Sequence, residues 1–151
     1  MHSSKPTERR ANKLKTLFAL SAGIQAFAEA SRAAAGVYRS WSGIDTKRIT
    51  LLPNGNYLAR WDGDIGSNGV SAGTWELVGT EVRLSPKKEE GMISGYFRVS
   101  VLKDFNSRQA LLRKEDEEHA DNEFFYLFLQ TQKPNQAAQT TPGLRPSVSD
   151  L

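Results

Sequence analysis

From Val37 to Thr131, apolar and polar residues alternate in short runs separated by glycine turns. Val37-Tyr38-Arg39-Ser40-Trp41 opens the series, and two hairpin patterns follow. In the first, Arg48–Leu52 and Tyr57–Trp61 flank Pro53-Asn54-Gly55-Asn56. Proline presets φ for a turn and Asn-Gly tolerates positive φ, so this tetrapeptide predicts a chain reversal by mechanism. Tyr57, Ala59 and Trp61 then share one strand face, and Leu58, Arg60 and Asp62 the other. In the second, Gly73-Thr74-Trp75-Glu76-Leu77-Val78 and Glu81-Val82-Arg83-Leu84 flank Gly79-Thr80. Trp75, Leu77, Val82 and Leu84 read inward, while Glu76, Glu81 and Arg83 read outward, as in a half-buried sheet.

Between and after these hairpins, Asp62–Gly69 reads as a glycine-rich loop and Pro86–Gly91 as a charged loop. Gly95–Lys103 is the next expected strand, with Phe97, Val99 and Val101 on one face, and Arg108–Arg113 is a shorter one. A charged connection, Lys114–Asn122, leads to a last strand, Glu123–Thr131, which is apolar on both faces. Such a strand needs cover on both sides, from an N-terminal helix, a loop or another subunit. Short strands with hairpin turns suggest an up-and-down barrel or a two-layer sandwich, and closure removes exposed sheet edges. The expected fold is therefore mainly β, an antiparallel up-and-down meander closing into a small barrel over 31–132. An N-terminal helix or signal segment precedes it at 1–30. Residues 133–151, rich in Gln, Thr, Pro and Ser, read as a disordered tail.

The N-terminal segment has a polar, basic start, a modest apolar run at 16–28, and small residues in A-x-A spacing at Ala26-Phe27-Ala28 and Ala28-Glu29-Ala30. These are the three parts of a cleavable export signal, and the run is too short for a stable membrane span. The expected location is periplasmic or secreted. A competing reading puts Leu14, Leu17, Phe18, Ser21, Ile24 and Ala28 on one face of a helix that plugs or packs on the barrel. Arg9-Arg10 resembles the start of a twin-arginine signal but lacks the aromatic expected after the pair.

Gly36-Val37-Tyr38, then Leu52-Pro53-Asn54-Gly55-Asn56-Tyr57, then Gly73-Thr74-Trp75 with its glycine turn together resemble the small bacterial lipocalin-like (calycin-type) barrels. Tyr38 stands where that pattern carries tryptophan. The resemblance implies a barrel with a ligand mouth or a partner-binding surface, and no particular ligand. Trp41, Tyr57, Trp61, Trp75, Phe97, Tyr126 and Phe128 are the candidates for lining an apolar cavity. A barrel of this size can instead be filled by side chains, and aromatics routinely supply core area, so a filled interior is the preferred reading.

Charge and residue inventory narrow the chemistry. The net charge of +3 lies wholly in 1–30, where Lys5, Arg9, Arg10, Lys13 and Lys15 outnumber Glu8 and Glu29. Basic and acidic residues balance in 31–151, which argues against a nucleic-acid partner. The absence of cysteine excludes disulfides, thiolate chemistry and an acylated-cysteine anchor. His119, in an acidic run, has no second histidine near it and reads as solvated. Asp62-Gly63-Asp64 begins like a calcium loop but lacks the ligands that should follow. No nucleophile elbow, phosphate loop or dinucleotide fingerprint is present. The expectation is an exported, non-enzymatic barrel without cofactor or metal, binding a small apolar ligand or a protein partner. The alternatives are an interaction or inhibitor module with a filled barrel and a carboxylate-dependent enzyme.

Overall fold

The structure, a computed structural model, describes residues 7–64 and 66–130, with side chains described from Ser21 onward. The expected tail at 133–151 lies outside the described residues. Helix α1 (Thr7–Ala34) leads into eight strands: β1 (Gly36–Trp41), β2 (Asp45–Leu51), β3 (Asn56–Gly63), β4 (Gly69–Val78), β5 (Glu81–Gly91), β6 (Val99–Phe105), β7 (Arg108–Arg113) and β8 (Tyr126–Leu129). Each strand runs antiparallel to the next, and β8 returns to β1, so the meander closes into a barrel.

Both hairpin patterns fold as the sequence predicts, and they lock to each other. At the first turn Gly55 takes φ 85°, and the Asn54 side chain accepts from the Asn56 amide at 3.0 Å. Trp75, from the second hairpin, donates its indole N–H to the Leu52 carbonyl at 2.8 Å. Its amide bonds the Gly55 carbonyl, also at 2.8 Å. The β6–β7 turn puts Asn106 and Ser107 at φ 51° and 62°, the left-handed pair that a two-residue hairpin needs.

Three expectations change. Pro86–Gly91 is not a loop but the continuation of β5, paired with β4 beyond a register shift at Ala72/Gly73. The ladder to β6 covers only Glu81–Arg83, so the distal part of β5 is a sheet edge, where charged residues are suited. The strand expected from Gly95 begins at Val99, because residues 92–98 turn across the barrel end and bury Ile93 and Phe97. Glu123–Phe125 is a 3₁₀ turn, started by the Asn122 side chain accepting from the Phe124 amide, and only Tyr126–Leu129 is strand.

The core sits inside the barrel. Ile49, Leu51, Tyr57, Ala59, Trp75, Leu77, Val82, Leu84, Leu111 and Leu127 belong to one contiguous buried cluster. A second, smaller cluster of Ala110, Leu112, Tyr126 and Phe128 lies on the outer face of β7 and β8, with Phe105, Ala120 and Phe125 packed against it. Ala120 and Phe125, on the connection after β7, thus supply part of the second cover that the doubly apolar last strand demands, and Tyr126 Oη donates to the Ala120 carbonyl at 2.8 Å. Of the expected packing face of the helix, Ser21, Ile24 and Ala28 are exposed, and the side chains of Leu14, Leu17 and Phe18 lie outside the described residues. The helix end is nevertheless anchored. Tyr38 Oη donates to the Ala34 carbonyl at 2.7 Å, and Gln109 Nε2 donates to the Ala33 carbonyl at 3.0 Å and to Tyr38 Oη at 2.7 Å.

Candidate functional site

The seven aromatics expected around one cavity divide into three groups. Tyr57, Trp75 and Phe97 are buried in the interior cluster. Trp61 is half-buried at the barrel end that the 92–98 turn covers, 4.9 Å from Tyr96 between ring centroids. Trp41, Tyr126 and Phe128 belong to the outer surface of β1 and β8. Tyr57, Trp75 and Phe97 thus contribute to a side-chain core inside the barrel.

The covered barrel end holds the most polar part of the inside. Lys47 lies 4.2 Å over the Trp61 ring, and the Arg113 guanidinium 3.8 Å over Tyr96. Arg113 forks onto Asp116 at 2.6 and 3.0 Å, and Lys47 pairs with Asp45 at 3.3 Å. Burial pushes the Asp45 carboxyl up, but the Ser42 hydrogen bond and the Lys47 charge outweigh it, and its pKa falls below the ordinary value. The Asp116 hydrogen bonds raise the Arg113 pKa against the opposing effect of burial. A cavity of about 180 Å³ remains, bordered by Ser40, Lys47, Tyr96 and Arg113. That is below the size of typical small-molecule sites, and its cations are already neutralised by carboxylates. Trp61 Nε1 is a buried donor without a partner among the described residues.

The larger depression lies outside. A groove of about 430 Å³ follows the β1–β8 seam, floored by Tyr126 and Phe128 and bordered by Arg39, Ser40, Arg108 and Gln130. The seam is short, with Tyr38 opposite Leu129 and Arg39 opposite Phe128. Two large aromatics stand at the rim with their rings in solvent, Trp41 at 71% and Phe124 at 80% exposure. The Arg108 guanidinium lies 3.9 Å over the Phe128 ring. Phe124 is the residue that alternation misplaces. Near the start of a regular strand it would share a buried face with Tyr126 and Phe128, but in the 3₁₀ turn Glu123–Phe125 it is exposed. The Asn122 cap is the one sequence signal for that turn.

Carboxylate and metal chemistry find no comparable arrangement. The Asp45 and Glu81 carboxyls are both held below their ordinary pKa, opposite to a general acid. For Glu81 the main cause is hydrogen bonding from Lys114, then from Arg83. His119 stacks on Phe125 at 4.6 Å and approaches Glu118 at 3.5 Å. Among the described residues no group of three or more His, Asp or Glu is placed to hold a metal ion. None of their helices is long and apolar enough to cross a membrane. No protein-family model, curated protein or solved structure matches this chain, so the closed eight-stranded barrel stands as its architecture without assigning it to the lipocalin-like family.

Proposed function

We propose that this protein is an exported, non-catalytic binding module that docks a segment of a protein partner in the groove over β1 and β8. The observation that carries the reading is the inversion of its aromatics. Tyr57, Trp75 and Phe97 are buried in the interior cluster, while Trp41 and Phe124 stand exposed beside a groove of about 430 Å³. Large exposed aromatics beside a groove are costly in water and are the residue types that anchor interfaces. Export is supported by the basic and apolar halves of residues 1–30 and by the two A-x-A sites. Cleavage after Ala28 or Ala30 would leave Ala33 and Ala34 in place to bond Gln109 and Tyr38.

A photo-crosslinking residue placed at Trp41 in the full chain, expressed in its own cells, should give a discrete protein adduct. The same residue at Val78, exposed on β4, should not. Equal labelling at both positions, or none at Trp41, would overturn the docking reading. So would stoichiometric binding of an apolar fluorescent probe that survives Trp41→Ala with Phe124→Ala, since that places the site inside the barrel. Sequencing the mature N-terminus tests export separately: Glu29 or Ser31 is expected, and an uncut chain would overturn it.

A further inference from the structure

We infer that the partner segment docked beside Trp41 is acidic, and that a row of arginines running across β1, β2 and β3 reads its carboxylates. This rests on the docking reading above. Arg39 stands directly opposite Arg48, and Arg48 directly opposite Arg60. All three side chains are exposed on the outer face. On the other side of Arg39 the row continues into Phe128, over which Arg108 lies. Like charges directly opposite in a ladder destabilise a sheet. Among the described residues Arg39 and Arg48 form no ion pair, and Arg60 has only a weak one, with Asp62 at 3.9 Å and both side chains more than half exposed.

The Arg39 and Arg48 guanidinium forks, without an ion pair among the described residues, suit carboxylates, which such forks bind through two parallel hydrogen bonds. Strand spacing puts Arg39 and Arg60 about 10 Å apart along the row. The basic surface ends there, at Asp62 beside Arg60 and at Glu123 in the groove. A short acidic segment with one apolar anchor fits this footprint. A polynucleotide would carry its phosphates past the row onto those carboxylates, on a domain without net positive charge.

The test uses the full chain and fluorescence anisotropy of a short labelled Glu-rich peptide holding a single Phe. Saturable binding is expected at low salt. It should weaken at least about tenfold with Arg39→Glu plus Arg48→Glu, or with about 0.5 M salt. A matched Lys-rich peptide should not bind. Absence of saturation up to about 1 mM peptide, or indifference to the charge reversal, would overturn the inference. Tighter, arginine-dependent binding of an oligo-dT strand would also overturn it, in favour of nucleic acid. Thermal melting gives a second readout: Arg48→Gln should melt at the same temperature or higher, and a lower melting point would make the row structural and defeat the proposal. A protein adduct at Trp41 with no binding of the Glu-rich peptide removes the acidic partner and leaves the docking reading. Loss of both removes both.

Discussion

Trp75 and Gly73 show how far single residues determine this barrel. Trp75 reads as inward from alternation alone, and it is buried. Its second task, holding the Leu52 carbonyl of a turn in another hairpin, depends on contacts far along the chain. Gly73 reads only as the start of a Gly-Thr-Trp strand. The structure gives its reason: at the β4–β5 register shift a Cβ here would meet Pro86 Cα at 2.8 Å and the Lys87 amide at 2.9 Å. Both are backbone atoms that cannot swing aside. Gly73→Ala should therefore destabilise the fold by about 1–3 kcal/mol, the usual cost of overpacking. Urea unfolding measures this directly, and an unchanged midpoint would mean that the register shift relaxes freely.

At the scale of elements, the turn 92–98 is held to β5 by one carboxylate. Glu89 accepts from Arg98 at 2.7 Å, Ser94 Oγ at 3.2 Å, Ser71 Oγ at 3.3 Å and the Gly95 amide at 3.4 Å. Ser71 also shares a 2.7 Å hydrogen bond with Tyr57 Oη in the core. Glu89 is 16% exposed, so its hydrogen bonds are partly shielded from water. Glu89→Ala should cost about 1–2 kcal/mol and should loosen the turn before the rest of the sheet. Hydrogen exchange would show it as faster exchange of the Tyr96 amide, with β2 and β3 amides tracking global stability alone. Uniform acceleration through the barrel would rule out a local role. None of this is legible in the charged run Pro86–Gly91, which reads as a loop until its pairing with β4 is known.

For the whole molecule, all four tyrosines are held protonated more firmly than usual. Burial is the main cause for Tyr38, Tyr57, Tyr96 and Tyr126, and it pushes each above its ordinary value of 10.0. The Gln109 hydrogen bond partly offsets this for Tyr38, the Ser71 bond for Tyr57, and the Arg113 charge for Tyr96. Above pH 10 the unfolded chain loses phenolic protons that the native barrel keeps, so the native state binds more protons and stability falls as pH rises. Below that range this contribution is fully present. Melting temperature should drop once pH passes 10, and tyrosinate absorbance should appear together with unfolding. Full ionisation near pH 10 in a chain that keeps its far-ultraviolet circular dichroism would contradict it. The lowered pKa of Asp45 acts in the opposite range, adding stability above the carboxylate range that is lost as pH falls through its depressed value.

By itself the sequence determined the antiparallel meander, because two-residue alternation and Pro-Asn-Gly chemistry are local signals that need no partner. It determined which residues face in along β3 and β4, since Tyr57, Trp75 and Leu77 alternate with polar neighbours. Tertiary structure decided what covers the last strand and where Trp41 and Phe124 stand. It also aligned Arg39, Arg48 and Arg60 in one row. Equal numbers of acids and bases conceal such a row, because charge composition carries no register, and register is set only when strands distant in sequence pair.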